Sequence, residues 1–265
     1  MTYLYYRGKP LYPFGYGLSY AKFEYSDFDV KENGDVISVS LDVTNVSETD
    51  SDEVVQIYFR MENPSVKRPL RQLVAFARER IEGGRTRHFE FDIKKSELRF
   101  YDVSRERFAV EQGRYTFMAG ASSEDIRLTK TIDVSGEIIP PRELCKGVKA
   151  KNYDGKYGTK MKYSKKLEQH YMLGGGLIYN NCVLGEADSI EIVCGSRVNT
   201  GKITVRYGGE TLCEAEVKPT VDVTEFETVT AQFDKAVLAG IDREKPAVFE
   251  LWMPEQIYIL GFRTY

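Results

Sequence analysis

The stretch VISVSLDVTN, residues 36–45, decides the fold class of this chain. Its apolar and polar side chains alternate one by one. A period of two places successive side chains on opposite faces of a β-strand. The stretch therefore predicts a strand with one buried face and one solvated face. Its buried side would carry Ile37, Val39, Leu41 and Val43.

Short stretches of the same kind lie on either side of this strand, with turn sequences such as Asn33-Gly34-Asp35 and Gly83-Gly84 between them. About seven such strands over roughly a hundred residues are typical of an immunoglobulin-like β-sandwich. Residues 20–135 are accordingly predicted to form the first of two tandem domains. The other strand-like stretches are 21–30, 53–60, 87–93, 114–121 and 125–134.

An aromatic segment, YPFGYGLSY at residues 12–20, precedes the first predicted strand. Pro13 fixes φ near −65°, and Gly15 and Gly17 permit backbone angles that other residues avoid. The rings between them need a packing partner larger than the turn itself. We therefore treat residues 1–19 as an aromatic lead-in whose rings pack against another surface.

These residues also carry a family resemblance. YPFGYGLSY followed by FEYSD resembles the entry to the fibronectin type III-like domain on the C-terminal side of glycoside hydrolase family 3 enzymes. Three further segments are similar to that domain: VTNVSETDSDEVVQIYFR, RPLRQLVAFARERIEGGRTRHFEFDI and YDVSRERFAVEQGRYTFMAGASSEDIRL. The resemblance implies a parent enzyme that releases glucose or a related sugar from β-linked glycans. Because the family's nucleophilic aspartate lies in preceding catalytic domains, no catalytic residue is assigned here.

Residues 136–147 are predicted to be a linker, since Pro140-Pro141 interrupts both helix and strand pairing. Residues 148–265 are predicted to form a second all-β domain. That domain resembles carbohydrate-binding module family 6, whose members are jelly-roll sandwiches. The similar segments are VKAKNYDGKYG, GGGLIYNNCVLGEADSIEIVCGSR, GKITVRYGGE and YILGFRTY.

Sugar binding is the activity expected of the second domain. Neutral sugars stack apolar C–H faces on aromatic rings, and nearby amides read their hydroxyl groups. Trp252 shares the solvated parity of Glu250, and the alternative is that it covers an edge or an interface. The predicted carbohydrate-binding residues are Trp252, Tyr179, Tyr258, Asn180 and Asn181.

No metal or other cofactor is expected. The module family carries acidic residues on an early strand that help to hold calcium, whereas Lys149 and Lys151 stand at those positions and would repel a cation. Gly174-Gly175-Gly176 is expected to be a flexible turn, since it lacks the lysine and serine of a phosphate-binding loop.

Composition excludes several partners. The formal net charge of −3 gives no general attraction to nucleic acid, so the eight lysines between Lys146 and Lys166 are predicted to lie in a solvated loop. No apolar run approaches the roughly 18 residues of a membrane span. Since no signal peptide is recognised and the four cysteines are expected to be free thiols, a cytoplasmic location is favoured.

The sequence thus predicts a non-catalytic accessory region of a glycoside hydrolase family 3 β-glycosidase. The first domain would brace the catalytic domains that the chain lacks, and the second would bind a β-linked oligo- or polysaccharide. Two alternatives stay open at this point. One is a free-standing carbohydrate-binding or adhesion protein, and the other is a purely structural or assembly module that has lost its sugar site.

Overall fold

A computed structural model describes residues 3–220 and 225–265 of the chain. The all-β prediction is confirmed, because almost every regular element of the described residues is a strand. Two compact units are present. The first runs up to Asp102 and includes Arg107–Ile139, and the second comprises Val103–Glu106 and Pro140–Tyr265.

The first unit is a sandwich of two antiparallel sheets. The strand order is β1-β2-β5 in one sheet and β4-β3-β8-β9 in the other, and β6 and β7 form a separate small hairpin. Its strands are β1 (Phe23–Asn33), β2 (Val36–Asn45), β3 (Ser51–Met61), β4 (Gln72–Ile81), β5 (Thr86–Lys94), β6 (Phe100–Asp102), β7 (Arg107–Ala109), β8 (Gly113–Gly120) and β9 (Ile126–Val134).

The core of this unit follows the sequence alternation. The four alternating apolar side chains of β2, those of Ile37, Val39, Leu41 and Val43, are buried, and they meet those of β3 and β8 from the other sheet. Strand β4 was not predicted as a strand, because its apolar residues do not alternate cleanly. It lies at the edge of its sheet, and Phe76 on its outer face is 66% exposed.

The second unit contains ten strands and one helix of six residues, α1 (Lys235–Gly240), within its described part. Asp234 begins that helix by accepting a hydrogen bond from the backbone N–H of Ala236. The strands are β10 (Arg142–Glu143), β11 (Val148–Lys149), β12 (Gly155–Tyr157), β13 (Lys160–Ser164), β14 (Gln169–Val183), β15 (Ser189–Ser196), β16 (Gly201–Tyr207), β17 (Glu210–Val217), β18 (Glu227–Gln232) and β19 (Ala247–Thr264).

Two long strands, β14 and β19, organise this unit. The first half of β19 pairs with β14 and β16, and its second half pairs with β15, β11 and the beginning of β14. Between these halves, Gly174 alone on β14 lies opposite residues 254–257 of β19. A Cβ at Gly174 would lie 2.8 Å from the backbone of Glu255, so the close approach of the strands requires glycine.

This geometry corrects one expectation. Gly174-Gly175-Gly176 is not a flexible turn but part of the interior of β14. Gly174 and Gly175 adopt φ values of 60° and 75°, which only glycine reaches readily. The glycines therefore shape a long strand at an irregularity in its pairing.

Candidate functional site

The aromatic lead-in is fixed to the first unit through its backbone. The carbonyl of Phe14 accepts from the N–H of Ser123 at 2.9 Å, and the carbonyl of Leu4 accepts from Leu70 at 2.7 Å. Gln56 adds a buried side-chain anchor, since its Nε2 donates to the carbonyl of Gly15 at 3.1 Å. The lead-in thus lies along the outer side of the β4-β3-β8-β9 sheet, where Gln56 is 4% exposed.

Gly15 is indispensable to this arrangement, whereas Gly17 is not. Gly15 adopts φ of 79°, and a Cβ there would lie 2.0 Å from Oε1 of Gln56. Gly17 has no atom within 4 Å of an added Cβ. The sequence prediction that special backbone angles are needed therefore holds at Gly15 alone.

Despite these anchors, the lead-in leaves many apolar side chains in solvent. Leu18 is 89% exposed, and Tyr20, which directly follows residues 1–19 and is counted with the lead-in from here on, is fully exposed. Phe14, Tyr16 and Leu18 line one side of an open cavity of about 900 Å³, which we call the lead-in groove. Val46, Val54 and Phe76 of the sandwich line its other side.

Of the four carboxylate residues in the wall of the lead-in groove, Glu53 is the buried one. Glu53 is buried, accepts a hydrogen bond from the Tyr25 hydroxyl at 2.8 Å, and lies 3.5 Å from the Arg127 guanidinium. Burial raises the pKa of Glu53 above its usual range. Because its oxygens are held by neighbours of the same unit, we interpret Glu53 as a structural group of the groove wall.

In the second unit, two of the predicted sugar-stacking rings are buried, which corrects the prediction. Tyr179 is 0% exposed, packs edge-on against Phe262, and donates its hydroxyl to the carbonyl of Ala150. Tyr258 is also 0% exposed and packs against Phe226, and its hydroxyl donates to the carbonyl of Glu225. Neither ring has a face that a sugar can stack on, so both are core residues.

Trp252 differs from these two rings. It is half-buried on β19, while its neighbours Leu251 and Met253 point into the core, so the predicted strand parity is confirmed. Gly176 of β14 and Thr204 of β16 lie directly opposite Trp252 on either side. The indole lies over Gly176, so closely that a Cβ at Gly176 would come within 2.7 Å of the ring.

A second ring next to Trp252 was not predicted. Tyr157 of β12 also pairs with Gly176, and its ring lies 5.8 Å from the Trp252 ring at an interplanar angle of 16°. Tyr157 is 61% exposed. The only clue in the sequence was its place in VKAKNYDGKYG, since its proximity to Trp252 depends on pairing across three strands.

A charged pair adjoins these rings. Arg206 of β16 and Glu250 of β19 lie opposite each other, two residues along each strand from the Thr204–Trp252 pair. Their charged atoms are 3.6 Å apart. We name this surface, formed by Trp252, Tyr157, Thr204, Arg206 and Glu250, the Trp252 face. It combines flat apolar rings with hydrogen-bonding groups, which is the chemistry that suits a sugar.

The two predicted asparagines form an irregularity in β14. Asn180 and Asn181 lie opposite the single residue Val248, and Asn181 adopts φ of 53°, a conformation that asparagine tolerates. The backbone N–H of Asn180 donates to Asp154. Asn180 shares the parity of Gly176 but lies four residues further along, about 13 Å away at strand spacing.

Other kinds of site find no support in the described residues 3–220 and 225–265. They contain no cluster of three metal-ligating side chains of the His, Cys, Asp or Glu type. Within the same ranges, no helix is long and apolar enough to cross a membrane. All four cysteines are free, and burial raises the pKa of Cys182 and of Cys194 to about 12.

Comparisons with known proteins identify the first unit. Residues 53–123 match the family model of the fibronectin type III-like domain. Over 135 residues the chain is 36% identical to the thermostable beta-glucosidase B of Acetivibrio thermocellus, a match that covers 49% of this chain and 18% of that protein. Over 132 residues it is 39% identical to a putative beta-xylosidase of Formosa agariphila, covering 48% of this chain and 17% of that protein.

A solved structure of beta-glucosidase 3B from Thermotoga neapolitana in complex with alpha-D-glucose is 32% identical to this chain. That match covers 50% of this chain and 19% of the other, with a TM-score of 0.47. The chain thus spans less than a fifth of the length of these relatives. Its first half is similar to an accessory part of family 3 beta-glucosidases and contains a fibronectin type III-like domain.

Proposed function

We propose that this chain is a non-catalytic accessory region of a glycoside hydrolase family 3 β-glycosidase, and that its lead-in groove docks on the catalytic domains of that enzyme. The observation that carries the proposal is the exposure of the lead-in side chains, above all Leu18 and Tyr20. An exposed apolar patch of this kind marks an interaction surface. The partner is chosen because the matched relatives are beta-glucosidases that extend well beyond the matched segment.

The anchoring of the lead-in favours such docking energetically. Its backbone is already fixed by hydrogen bonds to Ser123, Leu70 and Gln56 before any partner arrives. Association then orders few additional residues, so less of the binding free energy is lost to conformational entropy.

Association in trans tests the docking proposal. The probe is the catalytic part of the Acetivibrio thermocellus beta-glucosidase B, expressed without the segment that matches this chain. Sedimentation velocity should detect a 1:1 complex with the wild-type chain and none with a Leu18→Ser, Tyr20→Ser double variant. Tyr101→Ser removes a ring that is 49% exposed and lies outside the groove, and it is the control. A complex that the double variant leaves intact would refute docking through the groove.

For the second unit, the function supported by the Trp252 face is binding of a β-linked glycan. A half-buried indole beside an exposed phenol offers an apolar stacking surface, and the Arg206–Glu250 pair supplies groups that can contact hydroxyls. The buried rings of Tyr179 and Tyr258 take no part in this proposal. Asn180 and Asn181 remain proposed polar partners at one end of the face.

Isothermal titration with β-linked oligosaccharides tests this second part. Binding should be lost in Trp252→Ala and reduced about tenfold or more in Tyr157→Ala, since truncating an aromatic anchor of a binding site typically costs about 2 kcal/mol or more. Tyr163→Ala, another exposed ring of the same unit, is the control. If no sugar gives heat while the docking test succeeds, the second unit is a structural module. If sugars bind and docking fails, the chain is better described as a free-standing carbohydrate-binding protein.

A further inference from the structure

A group of lysines borders the Trp252 face. Five of them, Lys156, Lys160, Lys162, Lys165 and Lys166, are exposed, and we call them the lysine edge. They were expected in a solvated loop, but Lys156 lies on β12, Lys160 and Lys162 lie on β13, and only the last two occupy a turn. The structure therefore holds the first three on strands at a defined place.

The charges of the lysine edge are not neutralised by neighbours. Residues 155–171 contain five lysines and one acidic residue, Glu168, in a chain whose overall formal charge is −3. Some other exposed lysines of the same unit are paired, as Lys202 is with Glu214 at 2.7 Å and Lys149 with Glu106 at 2.7 Å, whereas Lys218 and Lys245 have no ion pair with a described residue. Among the described residues, no carboxylate lies within ion-pair distance of any lysine in the edge. Binding an anion there would not require an existing ion pair to break.

Tyr157 joins the lysine edge to the Trp252 face. Lys156 precedes it directly and points to the opposite face of β12, with its ammonium 5.8 Å from the centre of the Tyr153 ring. Lys160 is three residues further on, which places its Cα at most about 11 Å from that of Tyr157. Thr159 fixes the intervening turn, since its hydroxyl donates to the carbonyl of Gly176 at 2.8 Å. A glycan stacked on Tyr157 and Trp252 would thus have cationic groups within reach of its substituents.

We propose that the ligand of the second unit is an acidic glycan, a β-linked polymer whose sugars carry carboxylate groups that the lysine edge pairs with. This inference rests on the proposed glycan binding by the Trp252 face. Stacking supplies the contact to the sugar ring, and the lysines select the charged substituent. The second unit would bind this ligand more tightly than a neutral β-glucan because its lysines complement the negative charge of the ligand, without a further pocket.

The test compares two ligands that differ only at C6: cellohexaose, and the same hexamer with its C6 hydroxymethyl groups oxidised to carboxylates. Isothermal titration at about 20 mM salt should give the oxidised hexamer about tenfold higher affinity, since several exposed pairs each contribute weakly. At about 0.5 M salt the preference should fall to about twofold or less, because the charges are screened over a few ångströms.

Matched variants separate the lysine edge from the rest of the unit. A Lys156→Gln, Lys160→Gln, Lys162→Gln triple variant should lose the preference for the oxidised hexamer and retain its affinity for cellohexaose. Lys202→Gln, which removes a paired lysine elsewhere on the unit, should leave both affinities unchanged. A triple variant that keeps the full preference would overturn the assignment to the lysine edge.

The remaining outcomes also decide the question. Equal affinity for both hexamers would overturn acidic selectivity and leave the proposed glycan binding intact, whereas no binding of either would overturn both. Single-stranded DNA of equal charge that competes as well as the oxidised hexamer would show a general polyanion surface and overturn the glycan class. If Trp252→Ala still binds the oxidised hexamer, the lysine edge and the Trp252 face do not form one binding site, and the proposal of a joint site is refuted.

Discussion

The lead-in of the first unit and the β14–β19 strands of the second are both rich in aromatic residues, but they use them in opposite ways. In the lead-in the backbone is anchored while rings such as Tyr20 remain in solvent. On β14 and β19, Tyr179 and Tyr258 are fully covered, whereas Trp252 and Tyr171 are only partly buried. Whether an aromatic residue stabilises the core or is available to a partner therefore depends more on the solvent exposure of its ring than on its residue type.

The largest expected effect contrasts one ring from each region. Tyr179→Ala removes a fully buried ring and leaves the carbonyl of Ala150 without its hydroxyl donor, so the free energy of unfolding of the second unit should fall by about 3–5 kcal/mol. Tyr20→Ala should change the stability of the first unit by less than about 0.5 kcal/mol. Urea unfolding followed by tyrosine and tryptophan fluorescence measures both.

The control for this contrast is Tyr179→Phe, which keeps the packing and removes only the hydroxyl. It should cost about 1–2 kcal/mol. Equal losses of unfolding free energy in Tyr179→Ala and Tyr20→Ala would contradict the difference in burial between the two rings, because they would indicate that both lie in the same environment.

A smaller effect is expected from the glycines of the lead-in. Gly15→Ala introduces a Cβ at φ of 79° and against Gln56, so anchoring of the lead-in should weaken by about 1–3 kcal/mol. Gly17→Ala, with open space around it, should be neutral. Hydrogen exchange at the amides of residues 4–20 measures the loss of anchoring. Unchanged protection in Gly15→Ala would show that the anchors described here do not hold the lead-in.

The smallest effect concerns an exposed polar pair, His88 and Asp42, on the outer face of β2 and β5. A hydrogen bond from the His88 ring to Asp42 raises the pKa of His88 above 6.5. Its contribution to stability is therefore fully present below about pH 6.5 and is lost as the pH rises through the folded-state pKa. Because the pair is solvated, the contribution should be small.

Asp42→Asn removes the acceptor charge and provides the measurement. The difference in unfolding free energy between wild type and variant should be larger at about pH 5.5 than at about pH 9. A difference that grows with increasing pH would contradict the sign of this assignment.

Sequence patterns identified the elements of the first unit well because its strands depend on local alternation. The parity of β2 was sufficient to name its four buried apolar residues, and the same reasoning placed Trp252 on the outer side of β19. The first unit ends at Ile139 and the main segment of the second unit begins at Pro140, within residues 136–147, which were predicted as a linker. Strand β4 was not predicted, because an edge strand that the lead-in covers does not show a regular two-residue alternation of apolar and polar side chains.

The sugar-binding residues were only partly predictable because coverage is a tertiary property. Tyr258 rests on Gly195 and is covered by Phe226, a residue more than thirty positions away in sequence. Tyr157 meets Trp252 only because both lie opposite Gly176 on β14. Three consecutive glycines argue against a strand in any propensity scale, so β14 itself was missed and with it the neighbours of Trp252.

The most direct test of the central claim is a chimera. Residues 1–135 of this chain replace the matching segment of the Acetivibrio thermocellus beta-glucosidase B, to which the chain is 36% identical over 135 residues. We predict that the chimera hydrolyses a β-glucoside, and that Leu18→Ser with Tyr20→Ser lowers its activity and its melting temperature while Tyr101→Ser does not. A chimera that is active and equally stable with the mutated lead-in would contradict the claim that this surface docks on catalytic domains.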